Sequence, residues 1–231
     1  MKRFYKEVTV IEKDGMFAVC LDGKTIKTPE KSPCLMPTNE MAKAVAKEWD
    51  DQETEIDPHN MPLTKLINTA IDRVGKRRED LIDELVGFAG SDQLCYRAEH
   101  PDELVILQEK TWGPLLVQLR NNHGIKFKIT TGVMFIEQDA TELEKFREII
   151  KRIDDYELTA YYAMTTVTGS ITIGLNLFEN NLTIDEAWNA GHLDENFQVS
   201  QWGEDDEAAQ RRQNLKNELI NTTQFLALCR N

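Results

Sequence analysis

The chain has 231 residues, enough for one large domain or two small ones with a substantial core. Apolar residues make up 41% and charged residues 29%, and no apolar run reaches the ~18 residues of a membrane span, so a soluble globular protein is expected with no membrane role. The net charge of −13 excludes a nucleic-acid binder, which needs clustered Lys and Arg. The acid is unevenly placed: residues 1–37 hold 7 basic and 5 acidic side chains, so the remaining residues carry about −15. Met1 to Val10 already reads as strand, with no apolar secretory region and no Arg/Ser-rich presequence. A cytoplasmic location, or that of a matured organellar form, is therefore expected. Cys20, Cys34, Cys95 and Cys229 lie far apart, without C-x-x-C or ligand spacing to His, and read as reduced, mostly buried thiols.

The first 30 residues have the pattern of a β-meander. Phe4 to Ile11 is strand-rich, Asp14-Gly15 and Asp22-Gly23 are hairpin turn signals, and Thr25 to Thr28 supplies a third short strand. Pro29, Pro33 and Pro37 mark a loop. Thr38 is placed to cap a helix over 39–52, with Met41, Ala42, Val45, Ala46 and Trp49 on one face. A second helix is expected over 63–74, with Gly75 as its stop.

From here the patterns are helical. Helices are expected over 76–89 and 102–122, the latter kinked near Gly113-Pro114. Residues 125–137 are Lys, Thr and β-branched, and read as extended or loop. Asp139-Ala140-Thr141-Glu142 has the form of a capping box opening a helix to about Ile153. Residues 156–178 form either two helices or one loosened at Thr168-Gly169-Ser170, Thr183 to Glu186 is another capping box, and 204–229 is the final helix. Strands come first and helices after, without βαβ alternation. The fold class is therefore α+β: a small β-containing N-terminal domain over 1–75, then a larger all-helical domain over 76–231.

Enzyme signatures are missing. No G-x-G-x-x-G, H-E-x-x-H or G-x-S-x-G occurs, and Gly169 and Gly174 have P-loop spacing without the Lys that would follow, so close helix packing is the better reading. His59, His100, His123 and His192 have no partner at metal spacing, and Glu204-Asp205-Asp206-Glu207 suits the positive end of a helix dipole. No catalytic residue, metal or cofactor is expected.

The most distinctive stretch runs from Ala187-Trp188 through Asp194-Glu195-Asn196-Phe197 to Trp202-Gly203-Glu204-Asp205. Two indoles and a phenyl ring around a pair of carboxylates suit either a catalytic pocket or a partner-binding surface. If the helix from Thr183 continues, Glu195 falls about 20° from the line of Trp188, at the edge of a core face, while Asp194 points elsewhere. Glu195 is then either paired internally, for example with Arg211 or Arg212, or offered to a partner. Trp49 and Trp112 read first as core.

Several segments, in order, resemble one family: the chaperones that assemble the F1 sector of ATP synthase by handling its α subunit. They are Arg3-Phe4-Tyr5-Lys6, Leu21-Asp22-Gly23-Lys24, Lys27-Thr28-Pro29, Glu48-Trp49-Asp50-Asp51-Gln52 and Met61-Pro62-Leu63-Thr64, followed by Asp92-Gln93-Leu94-Cys95-Tyr96-Arg97-Ala98, Thr168-Gly169-Ser170, Ala187-Trp188, Asp194-Glu195-Asn196-Phe197-Gln198 and Trp202-Gly203-Glu204-Asp205. The resemblance implies a non-enzymatic role, binding unassembled α subunit and keeping it from aggregating. It implies an important acid in the Asp194-Glu195 region, assigned to Glu195 first and Asp194 second, and a family Trp at Trp49. The expected partner-binding set is Glu195, Asp194, Trp188, Phe197, Trp202 and Trp49, on a monomer. Mitochondrial members carry a presequence and this chain reads as a bacterial relative. The alternative is a small-molecule enzyme with Glu195 or Asp194 as general base.

Overall fold

Strands β1 (Val8–Lys13) and β2 (Met16–Leu21) form an antiparallel hairpin, in register from Val8 opposite Leu21 to Lys13 opposite Met16. Its turn is Asp14-Gly15, and both residues take positive φ, 54° and 77°, as a right-twisting two-residue turn requires. Asp22-Gly23 repeats the device at 47° and 78° and returns the chain as β3 (Lys24–Thr25). A fourth strand, β4 (Leu35–Met36), lies inside the proline-rich loop and also pairs with β2. The computed structural model describes all residues 1–231.

Helix α1 (Asn39–Asp50) packs on this sheet through Met41, Ala42 and Val45, and Thr38 caps it by accepting the Met41 N–H at 3.1 Å. The cap stabilises by ~1 kcal/mol. Helix α2 (Pro62–Thr69) is held from its first turn by Glu48, whose carboxylate accepts the N–H groups of Leu63 and Thr64 at 2.7 and 2.8 Å. α2 does not stop at a left-handed glycine as expected. It widens into a π turn over Ala70–Val74, closed by Gly75 N–H donating to Ala70 at 2.9 Å, and Gly75 keeps a right-handed φ of −59°.

The remaining helices are α3 (Arg78–Gly90), α4 (Asp102–His123), α5 (Ala140–Ile150), α6 (Asp155–Thr168), α7 (Ile171–Phe178), α8 (Ile184–Gly191), α9 (Leu193–Trp202) and α10 (Asp206–Cys229). α4 runs unbroken through Pro114 and ends at Gly124 in the left-handed region. The helical part also carries one strand pair, β5 (Tyr96–Arg97) alongside β6 (Thr130–Thr131) in parallel, so it is not purely helical. The capping box expected at Asp139 does not form. Lys128 draws the Asp139 carboxylate to 2.6 Å, and Glu142 accepts from Lys126 N–H and Lys145 instead. The box at Thr183 and Glu186 forms in full.

The chain divides into two compact units. The first joins residues 1–78 with 154–160 and 221–231; the second joins 79–153 with 161–220. The first unit is thus discontinuous. Its late segments contribute buried Phe225 and Leu226, and Thr38 Oγ1 donates to the Leu228 carbonyl at 2.6 Å.

In the second unit Asp92 is fully buried and gathers four donors. Its carboxylate accepts from Leu94 N–H at 3.0 Å, Ser170 Oγ at 2.9 Å, and Thr172 N–H and Oγ1 at 3.0 and 2.7 Å. This knot ties the α3–β5 connection to the first turn of α7. Gly174 sits where a Cβ would lie 2.7 Å from Thr165 Oγ1, so this glycine serves close helix packing, as its sequence context suggests. Cys20, Cys34 and Cys95 are buried and Cys229 half-buried, all as free thiols; burial pushes Cys34 and Cys229 up to about 12. No helix is long and apolar enough to cross a membrane.

Candidate functional site

The aromatic-acidic stretch separates into two surroundings. The single helix assumed from Thr183 to Glu195 is interrupted at His192 (φ −110°, ψ 26°), where α8 ends and α9 begins. Gly191 just before it lies so close to the end of α6 that a Cβ would meet the Thr168 carbonyl at 2.7 Å. The phase that lined Glu195 up with Trp188 therefore does not hold.

Glu195 is nevertheless paired internally. It takes Arg211 at 2.8 Å and Arg212 at 3.1 Å, and Arg212 also reaches Glu204 at 3.0 Å. The Arg212 guanidinium stands 5.7 Å over the Trp188 ring, whose other neighbour is the stacked His192 imidazole at 3.8 Å. Burial lowers the His192 pKa, against the opposing pull of the Trp188 carbonyl and Glu195. Trp188 is only 6% exposed. This cluster braces the start of α10 against α9.

Asp194 faces a different way, into a cleft of about 790 Å³ that also takes in Tyr96, Arg97, Ala98, Glu99, His100, Gln108, Thr131, Gly132, Val133 and Met134. Buried Gln108 holds it: Gln108 Nε2 donates to Asp194 at 2.8 Å, while Gln108 Oε1 accepts Ala98 N–H and its backbone carbonyl accepts Arg97 Nη1, each at 2.8 Å. Arg97 is buried 5.2 Å over the Trp112 ring, with Nε and Nη2 unpartnered, and desolvation lowers its pKa. Trp112 is core, as expected, and donates its indole N–H to the Ala190 carbonyl at 2.8 Å. Asp194 is thus an exposed carboxylate held by a hydrogen bond from the buried Gln108 amide.

The cleft wall ends in an unusual loop. Gly132, at φ 82°, donates its N–H to the Arg97 carbonyl at 2.8 Å and finishes the β5–β6 pairing. The next three residues project outward: Val133 is 95% exposed, Met134 76% and Phe135 70%. Three consecutive large apolar side chains in water make this loop a candidate interaction surface. Sequence reasoning misses them, because an apolar triplet has no periodicity that tells a buried strand from an exposed loop. Among the other candidates, Trp202 is 79% exposed at the end of α9 and Phe197 is half-buried on the same helix. Trp49 belongs to the first unit, half-buried and edge-on to Tyr5. Only Asp194 of the six lies in the cleft.

A family profile described as ATP12 chaperone protein matches residues 2–120. The mitochondrial protein atp12 of Schizosaccharomyces pombe is 24% identical over 241 residues, spanning 99% of this chain and 82% of that protein. Among solved structures, Atp12 of Paracoccus denitrificans is 32% identical with a TM-score of 0.94, covering 99% of this chain and 98% of that one. A point mutant of that Paracoccus protein superposes equally well, with 99% and 97% covered. A protein of Agrobacterium tumefaciens, described as a putative chaperone, is 37% identical with a TM-score of 0.93, covering 98% and 85%.

Proposed function

This chain belongs to the ATP12 chaperone family and acts as a chaperone in F1-ATP synthase assembly, and we propose that its client is the unassembled α subunit, held at the Asp194 cleft. The observation that carries the site is the exposed run Val133-Met134-Phe135 beside the Asp194 carboxylate. The apolar side chains cover an interface segment of the client that would otherwise self-associate. Asp194 and Glu99 select a segment with a basic side chain and set its direction. Trp202 and Phe197 extend the contact, whereas Glu195 and Trp188 act from within, keeping α9 and α10 in place. On this reading the protein works as a monomer in the bacterial cytoplasm, without a cofactor. The enzyme alternative, with Glu195 or Asp194 as general base, finds no support in a family of chaperones, and Glu195 is committed to two guanidinium groups.

The test is the aggregation of purified α subunit diluted from denaturant, followed by light scattering. The native protein keeps α soluble, and Asp194→Lys loses that protection; Asp194→Asn, whose Oδ1 still accepts from Gln108 Nε2, weakens it while keeping its own melting temperature. Glu195→Lys loses protection together with its own stability, because it faces Arg211 and Arg212. Equal aggregation of α with and without the native protein refutes the client; full protection by Asp194→Lys refutes the site.

A further inference from the structure

The first unit has its own groove, running along α2 and the π turn that extends it, with a volume of about 760 Å³. That falls within the ~300–1,000 Å³ typical of ligand sites. Its floor is apolar, formed by Trp49, Ile56 and Met61. The Trp49 indole nitrogen is buried and has no acceptor, although buried indole N–H groups ordinarily find one.

The rim is richer in cations than in acids, with Lys65, Arg73 and Arg77 against Glu30 and Asp72, on a chain that is acidic as a whole. Lys65 and Arg73 stand exposed at the groove without an ion pair. The two acids there are already engaged. Asp72 accepts Thr28 Oγ1 at 2.7 Å and Glu30 N–H at 3.0 Å, and Glu30 pairs with Lys76. Two uncommitted cations over an apolar floor, on a chain of net charge −13, are a specific invitation to a carboxylate. The π turn is the second sign. It interrupts regular α-helical bonding at Ala70–Val74, the stretch that carries Asp72 and Arg73 into the groove wall, and such turns recur at functional sites.

We propose that this groove is a second docking site, which takes a short peptide segment presenting apolar side chains to Trp49 and Met61 and an Asp or Glu carboxylate to Lys65 and Arg73. The two sites then differ in sign: the Asp194 cleft selects a basic segment and the α2 groove an acidic one.

The experiment is an NMR titration of the full chain with a blocked tetrapeptide of leucine, phenylalanine, glutamate and leucine. The Trp49 indole resonance is the reporter, assigned by its disappearance in Trp49→Phe. The glutamate peptide is expected to shift it saturably. A glutamine version should bind at least about tenfold more weakly, the scale of one charge-assisted hydrogen bond. Arg73→Glu, at an exposed position, should erase that preference and leave the melting temperature unchanged. Equal affinity for the two peptides, or an unmoved Trp49 resonance, overturns the proposal. So does benzoate binding as tightly as the peptide, which would make the groove a small-molecule pocket. Asp194→Lys, which tests the α-subunit cleft, should leave this titration unaltered; if it abolishes the shift, the groove is not an independent site.

Discussion

Replacing Val133, Met134 and Phe135 together by serine removes the exposed apolar run and little else. Fully covering a large apolar side chain contributes ~1.5–3 kcal/mol. Weighted by exposures of 95%, 76% and 70%, the three offer roughly 4–7 kcal/mol to a client that buries them completely. Ordering them costs about 0.5–1.5 kcal/mol each, and the midpoints of the two ranges leave about 2.5 kcal/mol, or about 70-fold in affinity. The protein's own stability should change by less than ~0.5 kcal/mol, because these side chains touch water rather than core. The assay is the chaperone concentration giving half-protection of α subunit against aggregation, read beside urea unfolding of the variant. Val117→Ser is the control, since Val117 is also an exposed apolar residue of the second unit but lies outside the cleft lining. Unchanged half-protection by the triple variant, with its fold intact, would show that the loop is not where the client binds.

Asp92→Ala leaves four buried donors without their acceptor and should destabilise by at least ~3 kcal/mol in urea unfolding; a loss under ~1 kcal/mol would mean that the knot is not structural. Phe225→Ala should cost ~3–5 kcal/mol, because this late residue is fully buried in the first unit, and near-native stability would deny that role. His192 has a depressed pKa, so the unfolded chain binds its proton more readily than the folded one. Its contribution to stability is therefore present above its unfolded value of about 6.5 and is lost as pH falls through the lower folded value. His192→Phe should keep the ring on Trp188 and flatten the fall in stability below about pH 6.5, as measured by melting across a pH series; an unchanged pH slope counts against this account.

What can be read from the sequence is what is decided within a few residues. Asp14-Gly15 and Asp22-Gly23 readily take the positive φ that two-residue hairpin turns require, and Thr38 and Thr183 cap because their hydroxyls reach the next turn. Asp139 shows the limit of such rules. Its pattern is that of a cap, but Lys128 competes for the carboxylate, and Lys128 is eleven residues away. β4 is hidden because two residues between prolines carry no alternation. The site is legible only in part. Asp194 and Glu195 are adjacent, yet one enters a cleft made by α4 and the β5–β6 pair while the other closes on α10. The break at His192 that separates them falls beside the close approach of Gly191 to Thr168, a contact across more than twenty residues. Nothing local marks Val133-Met134-Phe135 as exposed, since their fate depends on Gly132 ending a two-residue strand.

The discontinuity of the first unit has a consequence for how the molecule is made. The hairpin, α1 and α2 leave the ribosome well before the segment bearing Phe225, Leu226 and the carbonyl that receives the Thr38 hydroxyl. Residues 1–78 therefore wait through much of translation with an unfinished core, while 79–153 and 161–220 are produced between them and their missing piece. Completion of the first unit then has to await that late segment: a message that stops translation just after Ile220 yields a long polypeptide lacking Phe225, Leu226 and the Leu228 carbonyl that this unit uses.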